Sequence, residues 1–313
     1  MARNALLPVV VALLLVLSGC NALQGTDTPT ASPTQVPTPQ PTSTQPPGVT
    51  STQLPGGNST DTTGKRTTGT AAPGSSPPGI SSNEVSAPFT LASAHGDVLQ
   101  NESYTMTESS EIRYTNGTVV TSEQITAHIG PSDTRYLYRR TVEGEGTATA
   151  LLGGGNGTIV NYANGSVVFR KTIVEGNVTG PRIVLDGNGD PASPTAVYHA
   201  ANTNRIGTAF SRLSNVSVTR VNDTTVRIHA TEFATDSIRI NARPIRNVSL
   251  ESFSATVTHD GFVRTYRYSF RGTLDGHPVT VTRRVRYSDV GTTPVAAPPW
   301  DDEAVVNATV VTP

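Results

Sequence analysis

Beyond residue 85 the chain alternates apolar and polar positions with a period of two. Tyr104, Met106, Ile112 and Tyr114 share one parity, while Thr105, Thr107, Glu111 and Arg113 share the other. That pattern predicts a half-buried strand. Asn116-Gly117 follows, a pair that tolerates positive φ at both positions and so favours a tight hairpin. Val119 to Ile129 returns as the partner strand. The unit recurs along the chain. Ile159 to Tyr162 and Val167 to Val174 flank Asn164-Gly165, and Val216 to Val221 and Thr225 to Ala230 flank Asn222-Asp223. Phe253 to Thr258 and Phe262 to Phe270 flank Asp260-Gly261, and Asp275-Gly276 leads into Val279 to Tyr287.

Two segments read differently. Leu91, Ala94 and Val98 recur at helical spacing and predict a short helix over Pro88 to Gln100. Ser193-Pro194 reads as an N-cap followed by proline in the first turn of a second helix, with Ile206, Phe210 and Leu213 as its buried stripe. The fold class expected is therefore α+β: a strongly curved, mainly antiparallel sheet, half-barrel-like, with about two helices on one face.

The N-terminal region changes the picture from a fold to a location. Arg3 precedes an uncharged apolar run from Ala5 to Leu17, and Leu17-Ser18-Gly19-Cys20 closes it. The run is short for a membrane span and has the size of a signal-peptide core. Cys20 is the only cysteine, so no intramolecular disulfide forms. Its place at the end of the run favours lipid attachment over an ordinary cleaved signal peptide or an uncleaved anchor. Residues 21–84 are rich in Thr, Pro, Ser and Gly without hydrophobic periodicity. Such a composition cannot bury enough apolar surface to order itself, and it reads as an extended stalk or a plain linker. The expected organisation is a signal peptide and lipobox over 1–20, a stalk over 21–84, one sheet-rich domain over 85–300 and a tail over 301–313.

Composition narrows the function. The net charge of −1 gives no electrostatic case for nucleic acid. Sequons at Asn101, Asn116, Asn156, Asn164, Asn177, Asn215, Asn222 and Asn247 are candidate N-glycosylation sites, with two more at Asn58 and Asn307. No metalloprotease, nucleophile-elbow or phosphate-loop motif is present. No catalytic residue, cofactor or metal is therefore assigned, and a non-enzymatic role is expected. Asp186-Gly187-Asn188-Gly189-Asp190 spaces oxygen ligands like the start of a calcium loop, but Pro191 and Val197 stand where that loop needs Gly and Glu. A polar turn is the better reading.

Arginine placement carries more. With Tyr266, Tyr268 and Phe270 inward, Arg267 and Arg271 face outward, as do Arg284 and Arg286 on the next strand. Such a stripe suits anionic headgroups or simply a solvated face. Arg264 and Arg283 fall on the apolar parity, where they either meet a ligand's anionic head or lie at strand ends and snorkel out.

Glu102-Ser103-Tyr104-Thr105, Arg113-Tyr114-Thr115-Asn116-Gly117-Thr118, Tyr162-Ala163-Asn164-Gly165-Ser166-Val167, Arg170, Asn247-Val248-Ser249-Leu250, Asp260-Gly261-Phe262-Val263-Arg264, Arg286-Tyr287-Ser288-Asp289-Val290-Gly291 and Pro298-Pro299-Trp300 follow one another over roughly residues 86–300. Their order, with the lipobox and stalk, resembles an uncharacterised family of haloarchaeal surface lipoproteins. More distantly, the order of helix, long meander, helix and further meander is similar to LolA/LppX-type lipid carriers. That resemblance implies a half-barrel whose concave face holds acyl chains. The expectation is a lipid-anchored module on the outer face of the cell membrane that binds a lipid or other apolar ligand. Tyr104, Met106, Tyr266, Tyr268, Phe270, Arg264 and Arg283 are its candidate ligand-facing residues. The alternative is a structural or adhesive surface glycoprotein with a filled core. Oligomeric state is left open.

Overall fold

A computed structural model describes residues 76–144, 152–198, 201–240 and 243–302. Cys20, most of the stalk, and the sequons at Asn58 and Asn307 lie outside the described residues. The sheet consists of two antiparallel meanders. The first runs β1 (Tyr104–Tyr114), β2 (Val119–Ile129), β3 (Arg135–Gly144), β4 (Gly157–Asn164), β5 (Val168–Val174) and β6 (Asn177–Ile183). The second comprises β7 (Leu213–Asn222), β8 (Thr225–Phe233), β9 (Ser237–Ile240), β10 (Arg243–Thr258), β11 (Val263–Leu274) and β12 (His277–Ser288). The first and last strands, β1 and β12, pair with each other and join the meanders into one curved, open, 12-stranded sheet. The strand order is β6-β5-β4-β3-β2-β1-β12-β11-β10-β8-β7, with β9 paired to β10.

Among the described residues there are three α-helices: α1 (Pro88–Leu99) before β1, and α2 (Pro194–Val197) and α3 (Thr203–Ser211) between β6 and β7. Tyr104, Met106, Ile129, Phe253, Phe270, Val281 and Val285 from the sheet share one core with Leu91, Ile206 and Phe210 from the helices. The helices therefore cover one face. Phe210 crosses Phe253 edge-on at 5.2 Å between ring centres. Its full burial contributes roughly 1.5–3 kcal/mol.

The predicted hairpins at Asn116-Gly117, Asn164-Gly165, Asn222-Asp223, Asp260-Gly261 and Asp275-Gly276 all connect adjacent strands. Several details differ from the sequence reading. The helix expected after Ser193 is two pieces, and Leu213 lies in β7 rather than on a helical stripe. Ser193 makes no side-chain capping bond. In α1 the buried stripe is Leu91, His95 and Leu99, offset from the Leu91, Ala94 and Val98 expected. Strands β3, β6 and β9 had no clean alternation to announce them. Ordered packing also begins before residue 85: Ile80 is buried in the core, and the Ala87 N–H donates to the Gly79 carbonyl at 3.0 Å.

Candidate ligand cleft

The inward parity of β1 is not uniformly apolar. Tyr104 and Met106 are followed by Glu108 and Ser110 before Ile112 resumes the pattern, and all five are buried. On β2, Glu123 likewise shares the buried parity of Ile125, Ala127 and Ile129. On β12 the polar intruder is Arg283, between Val281 and Val285. The pairing of β1 with both β2 and β12 brings these residues together, since Ser110 stands opposite both Glu123 and Arg283.

Above this polar patch lies α3. Its residues Asn204, Arg205, Thr208 and Ala209, with Arg212 just beyond its end, occupy one helical face. Ile206 and Phe210 take the other face into the core. Between α3, β9 and the sheet is a cleft of about 320 Å³. One part of its lining is apolar, from Ala209, Phe233, Ile238, Ile240, Tyr266 and Tyr268. The other part carries Arg205, Arg212, Arg239 and Arg283 against Glu108 and Glu123. Positive charge is thus in excess.

The buried charges are paired. Glu108 Oε1 accepts from Arg283 Nη2, and Glu108 Oε2 accepts from Arg205 Nη1 at 3.2 Å. Glu123 Oε1 accepts from Arg140 Nε at 2.8 Å. Burial works against the charge on Arg283, but the neighbouring Tyr268 and Glu108 outweigh it, and the guanidinium pKa lies above its ordinary value. Its buried Nε–H has no hydrogen-bond partner, so one donor at the cleft is unspent. Burial raises the Tyr266 hydroxyl above the usual range and pushes Tyr138 up to about 12, so both stay neutral. No histidine lines the cleft, and both carboxylates are engaged by guanidinium groups. This arrangement holds charge in place at the cleft.

Of the seven residues expected to face a ligand, Tyr266, Tyr268 and Arg283 meet at the cleft. Tyr104, Met106 and Phe270 are fully buried in the packed core and do not line it. Arg264 is exposed. The β10–β11 register passes from Thr256↔Thr265 to Val257↔Val263, which leaves Arg264 as the unpaired residue of a bulge. A bulge breaks the alternation, and Arg264 leaves the apolar parity for solvent. Glu108 and Glu123 were missed, although the parity argument that singled out Arg283 applies to both.

Asn101, Asn116, Asn156, Asn164, Asn177, Asn215, Asn222 and Asn247 are all exposed. In the Asp186 segment, Oδ1 accepts from the N–H groups of Asn188 and Asp190 at 2.8 and 3.1 Å, which is a polar turn. Among the described residues, no group of three His, Cys, Asp or Glu side chains is placed to hold a metal ion.

No protein-family model matches this chain, and no curated protein matches it. Among solved structures it is similar to a LolA superfamily protein from Nitrosomonas europaea, with 8% identity over 67% of this chain and 95% of that one and a TM-score of 0.22. It is also similar to a DUF1329 family protein from Desulfovibrio piger, with 10% identity over 70% of this chain and 96% of that one and a TM-score of 0.23. At these identities and TM-scores the functional reading rests on the cleft itself.

Proposed function

We propose that this chain is a membrane-tethered surface protein whose domain binds, without chemically altering, an amphipathic ligand with an apolar body and an anionic head. The observation that supports it is the cleft between α3 and the sheet. Its volume of about 320 Å³ falls within the size range of small-ligand sites. Phe233, Ile238, Ile240 and Ala209 would take the apolar body. Arg205 and Arg212 at the mouth, with the unspent Nε–H of Arg283 within, would take the head. A lipid or lipid-like acid has this chemistry. Of the two readings of Arg283 open from sequence, the one in which it meets a ligand's anionic head is the one this cleft supports. The tether is the lipid expected on Cys20, with the stalk giving the domain reach.

Native mass spectrometry of the full chain extracted from its own membrane tests the reading. The expected result is a co-purifying acidic amphiphile that is lost in an Arg205→Ala, Arg212→Ala variant of unchanged circular dichroism. Repeated recovery of an empty domain, or retention of the same ligand by the variant, would overturn it.

A further inference from the structure

The outer face of the sheet carries a second feature that the cleft does not use. Strand registry lines up two adjacent rows across β8, β10, β11, β12, β1 and β2. One row reads His229, Ser254, Arg267, Arg284, Ser109, Gln124. The other reads Arg227, Thr256, Thr265, Arg286, Thr107, Thr126. Neither row contains an Asp or Glu, and all four arginines are exposed.

Within these rows Arg267 stands directly opposite Arg284. Like charges in that relationship destabilise a sheet. None of the four arginines forms an ion pair among the described residues; Arg267 Nε donates only to Ser254 Oγ, at 3.0 Å. Farther along the same strands the sheet does neutralise its arginines. Arg271 pairs with Glu251 at 2.5 Å, and Arg113 pairs with Glu111 at 2.8 Å. The bulged Arg264 borders the patch in a groove with Arg284 and Arg286, where Asp289 is the one carboxylate. The outer face is covered elsewhere: Trp300 packs edge-on against Tyr162 of β4 at 6.4 Å, in a cluster with Phe169 and Val295. Among the described residues no such cluster packs on the arginine rows.

We infer that this arginine-lined face of β8 and β10–β12 is a docking surface for an anionic lipid bilayer. Arg227 on β8 and Arg286 on β12 are three strand spacings apart, roughly 14 Å. A single small anion cannot neutralise an array of that width, whereas a plane of phosphate groups does. The intervening side chains are mostly Ser and Thr, so the guanidinium groups stand clear for bidentate phosphate contacts. The choice of a bilayer over another polyanion rests on the tether proposed above. The cleft lies on the opposite face and plays no part.

Vesicle co-sedimentation of the full chain carrying Cys20→Ser tests this without the lipid anchor. Vesicles of phosphatidylglycerol with phosphatidylcholine are compared with phosphatidylcholine alone; insertion by the apolar leader is common to both. The expected result is stronger binding to the anionic vesicles, weakened by molar salt as charge screening requires. Glutamine at Arg227, Arg267, Arg284 and Arg286 lowers that binding by roughly fivefold per arginine. Glutamine at the exposed Arg135, Arg182, Arg220 and Arg246, the same change in charge away from the two rows, leaves it within about twofold. Equal binding to both vesicle types overturns the proposal, as does an equal loss in the control variant. Retention on heparin without vesicle binding also overturns it, in favour of an acidic polysaccharide.

Discussion

Glu108 and Arg283 are 175 residues apart in sequence and hydrogen-bonded in the fold. Arg283 stands opposite Ser110, two positions along β1 from Glu108, so both side chains share the buried face, and the contact is diagonal across the strand pair that joins the two meanders. Arg205 of α3 completes the group and ties the helix to the sheet beneath it.

Removing one partner of this group leaves a buried charge uncompensated. Glu108→Leu is therefore expected to cost about 3–5 kcal/mol. The double variant Glu108→Leu, Arg283→Met replaces the pair with apolar volume and should recover most of that loss. A double-mutant cycle by urea denaturation measures the coupling. Additive effects would mean that the pair is not coupled.

His95 predicts a pH dependence. The ring is buried, its Nδ1 accepts from the Val263 N–H at 3.2 Å, and it stacks on Phe262. Burial lowers its pKa from 6.5 to about 3. Between those values the unfolded chain binds a proton that the folded chain refuses, so stability falls as pH falls, by up to about 1.4 kcal/mol per pH unit. Above 6.5 the group is neutral in both states and contributes no slope. Denaturation at pH 7 and pH 5 should show wild type losing about 2 kcal/mol more than His95→Phe, whose absolute stability is lower at both. Parallel losses would rule out His95 as the source.

Gly261 and Gly276 are matched hairpin glycines with φ of +91° and +84°. A Cβ on Gly276 meets nothing within 4 Å, whereas one on Gly261 lies 2.5 Å from the Ala94 Cβ on α1. Gly276→Ala should cost about 1–2 kcal/mol for its backbone alone. Gly261→Ala should cost at least about 1 kcal/mol more, because α1 must shift. Thermal midpoints of the two variants decide it.

Trp300 is the only tryptophan, so fluorescence reports its contact with Tyr162 directly. Tyr162→Ala should red-shift the native emission and lower stability by about 3 kcal/mol. An unchanged spectrum would show that the C-terminal segment packs independently of this ring.

Much of the sheet was legible because parity is a local property. Tyr104 to Tyr114 announces its two faces residue by residue, and Asn116-Gly117 announces the turn by its tolerance of positive φ. Strands β3 and β9 were not legible. Tyr136, Leu137 and Tyr138 run together in β3, and β9 is only four residues long, so neither offers enough alternation to read. The cleft was half legible. Arg283 stood out on an apolar parity, and Glu108 and Glu123 carried the same signal, but parity names a face and not a neighbour.

The sequence by itself determined which side chains point together along most strands, where the hairpins turn and where the N-terminal apolar run ends at Cys20. These follow from backbone pleat, turn chemistry and local composition, all set within a few residues. The tertiary structure alone decided that β1 pairs with β12, that Glu108 meets Arg283 and Arg205, that a bulge turns Arg264 out, and that Arg267 faces Arg284 without a carboxylate between them. The first two depend on closing loops of roughly a hundred residues or more, and the last two on the register that the β10–β11 and β11–β12 hairpins adopt within the sheet. The free energy of that choice is shared over the whole core and is written in no single segment.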